Sequence, residues 1–121
     1  MGAAVPLARD LVVAEYVHGE SGLDGPVLEP PSTDPISDPA VEFMAAAIIA
    51  SPEPVTLIPT GPLTNVGMLL REHPDVRDNI AAITFMGGAA EIGNVTPNAE
   101  FNIYVDPEAA EIVVSSGLPI T

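Results

Sequence analysis

Apolar positions recur at helical spacing over Val41, Met44, Ala45, Ile48 and Ile49, which predicts a helix with a single apolar stripe. Asp38-Pro39 supplies its start, an N-cap residue followed by proline in the first turn, and Ser51-Pro52 stops it. A second stripe, Leu63, Val66, Gly67 and Leu70, follows the turn Thr60-Gly61-Pro62 and ends at His73-Pro74, with one short turn reaching Asn79. Between and after these helices the pattern changes to continuous apolar runs. Val55–Pro59 and Ile80–Met86 read as strands covered on both faces, the second closing on Gly87-Gly88. Leu11–Val17 is a further β-rich run, and Pro26–Pro39 is a proline-rich surface connector. A third helix is predicted from Asp106 to about Ser116, with Gly117 as C-cap, and Leu118–Thr121 begins another strand. Helix, strand, helix, strand, loop, helix, strand at this spacing predicts an α/β fold with an open, mainly parallel sheet and flanking helices.

Composition narrows the partners more than the fold. The chain has 121 residues, one domain at most, and 47% are hydrophobic, enough for a real core. Seventeen acidic residues stand against three basic ones, a net charge of −14. Phosphate affinity needs cations, so this balance argues against nucleic acid or an anionic membrane surface as partner. Zero cysteines exclude disulfides, thiolate metal sites and a cysteine nucleophile. No apolar run approaches a membrane span and no targeting signal is present, so the default compartment is the cytoplasm.

The candidate chemistry gathers in Gly93–Ala110, GNVTPNAEFNIYVDPEAA. In an extended segment Glu100 and Asn102 share one face and Phe101 takes the other, with Asn94 a few residues earlier. A carboxylate and two carboxamides at a sheet edge suit recognition of hydroxyl groups. The plain alternative is a polar loop whose Asn and Glu side chains satisfy its own backbone. Ligands of parallel sheets bind beyond the carboxyl ends of the strands, where Thr60, Met86 and this loop all fall. His73, at a helix end before a proline, is given no functional role.

Four stretches together resemble the inosine-uridine-preferring nucleoside hydrolases: VHGESGLDG at Val17–Gly25, LIPTGPLTN at Leu57–Asn65, FMGGA at Phe85–Ala89, and the Gly93–Ala110 loop. They occur in the family's order and spacing over nearly the whole chain. The resemblance implies a Rossmann-like open sheet, dimeric or tetrameric assembly, and hydrolysis of the N-glycosidic bond of a ribonucleoside to ribose and free base. It implies a calcium ion that holds ribose hydroxyls and the attacking water, a task suited to a hard cation with many oxygen ligands. By the same resemblance Thr60 offers its backbone carbonyl to calcium. Asn94 and Glu100 hold the ribose 5'-hydroxyl, and Asn102 holds the 2'-hydroxyl. Met86 and Phe101 pack on the ribose, and His18 serves the leaving base.

Family members are longer and open with an aspartate-rich DTDPGxDD-type motif that supplies the calcium carboxylates and the catalytic base. They also carry a later His-Asp pair. Neither occurs here, so the chain reads as a partial nucleoside hydrolase domain over residues 1–121. Two expectations follow. One is a truncated nucleosidase that neither holds calcium nor turns over by itself. The other is a non-catalytic remnant, folded as a homo-oligomer that buries the sheet edges and at most binds a ribose-like ligand weakly.

Overall fold

The computed structural model describes residues 1–22 and 24–121; Leu23, within the first motif, lies outside the described residues. Its elements are α1 (Glu15–His18), α2 (Ala40–Ala50), β1 (Val55–Leu57), α3 (Thr64–Glu72), a 3-10 helix (Pro74–Asn79), β2 (Ile80–Ile83), α4 (Phe101–Val105) and α5 (Pro107–Val114). β1 and β2 pair in parallel, with Val55 opposite Ile80 and Leu57 opposite Ile83. The ladder outruns the named strands: Thr84 N donates to Leu57 O, and Met86 N to Pro59 O. On the other side of β2, Ile120 bridges Ile83 in parallel, and Phe85 N donates to Thr121 O. The α/β, parallel arrangement read from the pattern is therefore the fold, with a short three-segment sheet.

The core joins Val41, Ala45 and Ile48 of α2, Val66, Leu69 and Leu70 of α3, Ile80 and Ile83 of β2, and Ala109, Ala110 and Val113 of α5. Each helix contributes residues three or four apart, so its apolar stripe meets the others. Ile49, expected on the α2 stripe, is instead 51% exposed. At Gly67 a Cβ would lie 3.0 Å from the Ala109 Cα, so the missing side chain sets how closely α3 approaches α5.

Several boundaries differ from the pattern's prediction. The 11–17 run forms no strand: Leu11, Val12 and Val13 are exposed and irregular, and Glu15–His18 make one helical turn. Nothing pairs with this run among the described residues, so its β-propensity has no ladder to join. Thr56 and Ile58 are exposed, so β1 is covered on one face only, against the expectation of two. α2 is capped by Pro39 with no side-chain bond, not by the Asp38 carboxylate; the Asp38 carbonyl instead accepts from the chain's N-terminal ammonium. α5 ends on Ser115, two residues before Gly117, whose φ of +79° turns the chain toward Ile120.

The buried Asp106 carboxylate fastens these parts together. Its Oδ1 accepts from Ala109 N and caps α5, with Pro107 at the first helical position. Its Oδ2 accepts from Thr64 Oγ1 at 2.6 Å and from Leu7 N at 2.9 Å. One side chain thus ties α5 to α3 and to the N-terminal segment that leads into α1. Arg9 adds a bidentate pair with Glu108 at 2.8–3.0 Å, which holds the Glu108 carboxyl below its ordinary range.

Candidate ribose-binding site

The candidate site is built where the parallel ladder ends. Beyond β2 the chain runs through Met86 to Gly87-Gly88, and Gly88 takes φ +83°. That bend brings Gly88 N to 3.0 Å from Glu100 Oε2. The same oxygen accepts from Asn102 N at 3.0 Å and Ile103 N at 3.3 Å, so Glu100 is the N-cap of α4. Glu100 itself is extended, but Asn102 lies in the first helical turn. The expectation of one extended segment with Phe101 on the opposite face is therefore corrected: the cap turns the chain into a helix at Phe101, and Glu100, Phe101 and Asn102 all border one cavity.

The loop before it is organised by its own backbone. Ala99 O accepts from Asn94 N and Val95 N, and Thr96 Oγ1 accepts from Ala99 N. Gly93 has no room for a Cβ, which would lie 2.3 Å from the Thr96 and Ala99 carbonyls. Asn94 Oδ1 then accepts from Phe101 N at 2.7 Å, and Asn102 Nδ2 donates to Met86 O at 2.9 Å and to Met86 Sδ at 3.1 Å. The modest alternative for this loop is thus partly realised, since Asn94 and Glu100 each satisfy backbone donors.

Each polar side chain nevertheless keeps one atom without a protein partner among the described residues. Asn94 keeps its Nδ2 donor, Glu100 its Oε1 acceptor, and Asn102 its Oδ1 acceptor. Asn94 is exposed, whereas Glu100 and Asn102 are only 8% exposed.

A cavity of about 380 Å³ collects these groups. Its wall contains His18, Thr60, Met86, Asn94, Glu100, Phe101 and Asn102, all seven residues singled out from the sequence, with Ala14, Tyr16 and Val17. α1 supplies Tyr16, Val17 and His18; the turn after β1 supplies Thr60. Sequence reasoning missed Ala14 and Tyr16 as wall residues, because the 11–17 run reads as a strand rather than a helical turn. Among the described residues no arginine or lysine lines the cavity.

Calcium poses a separate question of donors. Thr60 brings a carbonyl oxygen to which no hydrogen bond is made among the described residues. No group of three or more His, Asp or Glu side chains is arranged to hold a metal ion among those residues. One neutral carbonyl beside a single carboxylate is too weak a set, because calcium affinity follows the count of charged oxygens.

Fold and site together define an α/β domain whose cavity presents neutral and anionic hydrogen-bond acceptors. The sequence matches the family described as inosine-uridine preferring nucleoside hydrolase over residues 1–121, and the chain belongs to that family. It is 62% identical over 120 residues to the pyrimidine-specific ribonucleoside hydrolase RihA of Shewanella oneidensis, covering 99% of this chain and 38% of that protein. Its fold is similar to the plant nucleoside hydrolase PpNRh1, with a TM-score of 0.89 at 34% identity over 98% of this chain and 38% of the other. It is likewise similar to a purine-preferring ribonucleoside hydrolase from Gardnerella vaginalis, with a TM-score of 0.87 at 31% identity over 98% and 39%. The chain spans about two fifths of the length of the relatives it matches. Among the described residues no helix is long and apolar enough to cross a membrane.

Proposed function

We propose that this chain forms the ribose-gripping wall of a ribonucleoside hydrolase, a nucleosidase that cleaves the N-glycosidic bond to ribose and free base. The observation that carries the reading is the convergence of seven residues from four separated stretches on one cavity, with three hydrogen-bonding atoms left unused. A primary hydroxyl both donates and accepts, and Glu100 Oε1 with Asn94 Nδ2 offers it one partner of each kind. Asn102 Oδ1 accepts from a second hydroxyl. Phe101 and Met86 give the sugar an apolar contact, and His18 stands on the base side. The names of the most similar relatives favour pyrimidine ribonucleosides as ligands.

Calcium enters this reading with Thr60 as the one ligand the chain brings, the charged ligands coming from outside it. Release of uracil from uridine by this chain alone is accordingly expected to be undetectable, with or without calcium. Calcium-dependent turnover would contradict that. The donor set also favours a second reading, a protein that binds the sugar without cleaving it. Self-association that covers the exposed Ile58 and the open sheet face accompanies either reading, and sedimentation velocity tests it.

Ligand discrimination tests the proposal directly. Uridine is expected to bind, and 2'-deoxyuridine about tenfold more weakly, since one hydrogen bond of about 1.4 kcal/mol is lost. Uridine 5'-phosphate is expected not to bind, because its phosphate meets the Glu100 carboxylate in a chain of net charge −14 with no cation in the wall. Calorimetry in which the phosphate binds as tightly as uridine would overturn the assignment of Glu100.

A further inference from the structure

Asn102 is held by two acceptors that belong to one residue. Its Nδ2 donates to the Met86 carbonyl at 2.9 Å and to the Met86 sulfur at 3.1 Å. The carboxamide nitrogen thus meets two acceptors of Met86, while its oxygen has no protein partner among the described residues. The carbonyl alone sets which end of the amide faces Met86, and the sulfur adds a second contact that restrains the amide plane. The sulfur is a weak but polarizable acceptor, and it is also a reactive one. Met86 is 57% exposed, whereas Met44 and Met68 pack against the core.

We propose that Met86 is a positioning residue whose thioether fixes the Asn102 amide, and that this makes the site sensitive to peroxides. A peroxide transfers one oxygen to the sulfur: its O–O bond breaks, an S–O bond forms, sulfur loses two electrons, and hydrogen peroxide leaves as water. The 3.1 Å between nitrogen and sulfur has no room for the new oxygen on the line between them. The oxygen adds on sulfur's other lone pair or displaces the contact, and in either case the Asn102 amide meets a changed acceptor while its bond to the Met86 carbonyl remains. The Met86 carbonyl still demands a donor and keeps the amide from flipping, so the change expected at the cavity is a displacement of Asn102 Oδ1. The consequence for ligand binding rests on the reading of Asn102 as a hydroxyl acceptor; the lock itself does not.

The test is made on the 15N-labelled chain without ligand, by following the Asn102 side-chain amide pair in proton–nitrogen spectra. Mild hydrogen peroxide is expected to oxidise Met86 ahead of Met44 and Met68 by peptide mass spectrometry, and to shift the Asn102 pair. Methionine sulfoxide reductase should restore it. In M86L the pair is expected to be shifted already and to ignore peroxide. An Asn102 pair unmoved by oxidation and by the substitution would overturn the proposal, as would oxidation of Met44 or Met68 before Met86. If M86L does not fold, the oxidised and restored wild-type chains decide alone. A D-ribose titration of the same reduced sample separates the two readings: a responsive amide in a chain that binds no sugar retains the lock and removes the function proposed above.

Discussion

At the scale of single residues, Glu100 divides its work between two oxygens. Oε2 accepts from Gly88 N, Asn102 N and Ile103 N, and Oε1 has no protein partner among the described residues. An alanine at this position would leave three backbone donors without their acceptor as well as removing the ligand contact. Glu100→Ala is therefore expected to lower stability by about 2–3 kcal/mol in denaturant titrations. Glu100→Gln, which retains an oxygen for the cap, is expected to fall within about 1 kcal/mol of the native chain while weakening sugar binding. Equal losses in the two variants would show that the cap is not made. Sequence alone separates these tasks poorly. The residue type and position mark Glu100 for a ligand, but the bend at Gly87-Gly88 that supplies its third donor is a tertiary event twelve positions away. Asp106 is similar: its cap to Ala109 N is legible in Asp-Pro-Glu, whereas its bonds to Thr64 and Leu7 have no local signal.

At the scale of elements, the helical stripes were the legible part, because period 3.6 is a property of the chain itself. α2 and α3 lie where apolar spacing puts them, α5 begins where Asp106-Pro107-Glu108 marks a helix start, and Gly67, a gap in the α3 stripe, is explained only by its neighbour α5. Gly67→Ala is expected to destabilise by about 1–3 kcal/mol, since the new methyl meets the Ala109 backbone at 3.0 Å and backbone yields little. A change within 0.5 kcal/mol by thermal unfolding would mean the helices separate freely. The run 11–17 reads as a strand or an extended edge segment, but among the described residues no partner strand lies beside it, and Glu15–His18 make a helical turn. That segment is anchored from its N-terminal side, at Leu7 by Asp106 and at Arg9 by Glu108. The Arg9 hydrogen bond depresses the Glu108 carboxyl, so its contribution is present above the ordinary carboxylate range and is lost as pH falls through the lowered value. Protection of amides near Arg9, taken relative to intrinsic exchange at each pH, is expected to fall as the solution is acidified through that range, and Arg9→Gln should remove that fall. An unchanged acid response in Arg9→Gln would place its origin elsewhere.

At the scale of the whole molecule, a parallel sheet of three short segments positions a polar loop, a turn and a short helix around one cavity. The order of elements was readable, because alternating helices and apolar runs admit few parallel topologies. The coverage of the sheet was not, since a run such as Val55–Pro59 has the same pattern whether one face or two are packed. Here one face is, and Ile58 stands 69% exposed on the other. The acidic surface fits the same picture, with an uncharged or cationic ligand favoured over any phosphate. The central claim is that the cavity receives the sugar through Asn94, Glu100 and Asn102, and backbone and side-chain amide shifts during titration with D-ribose test it most directly. The account predicts saturable perturbations at those residues and at Thr60, Met86 and Phe101, with none at Val76 or Val113 in the core. Perturbations confined to another surface, or none at sugar concentrations that saturate weak sites, would contradict it.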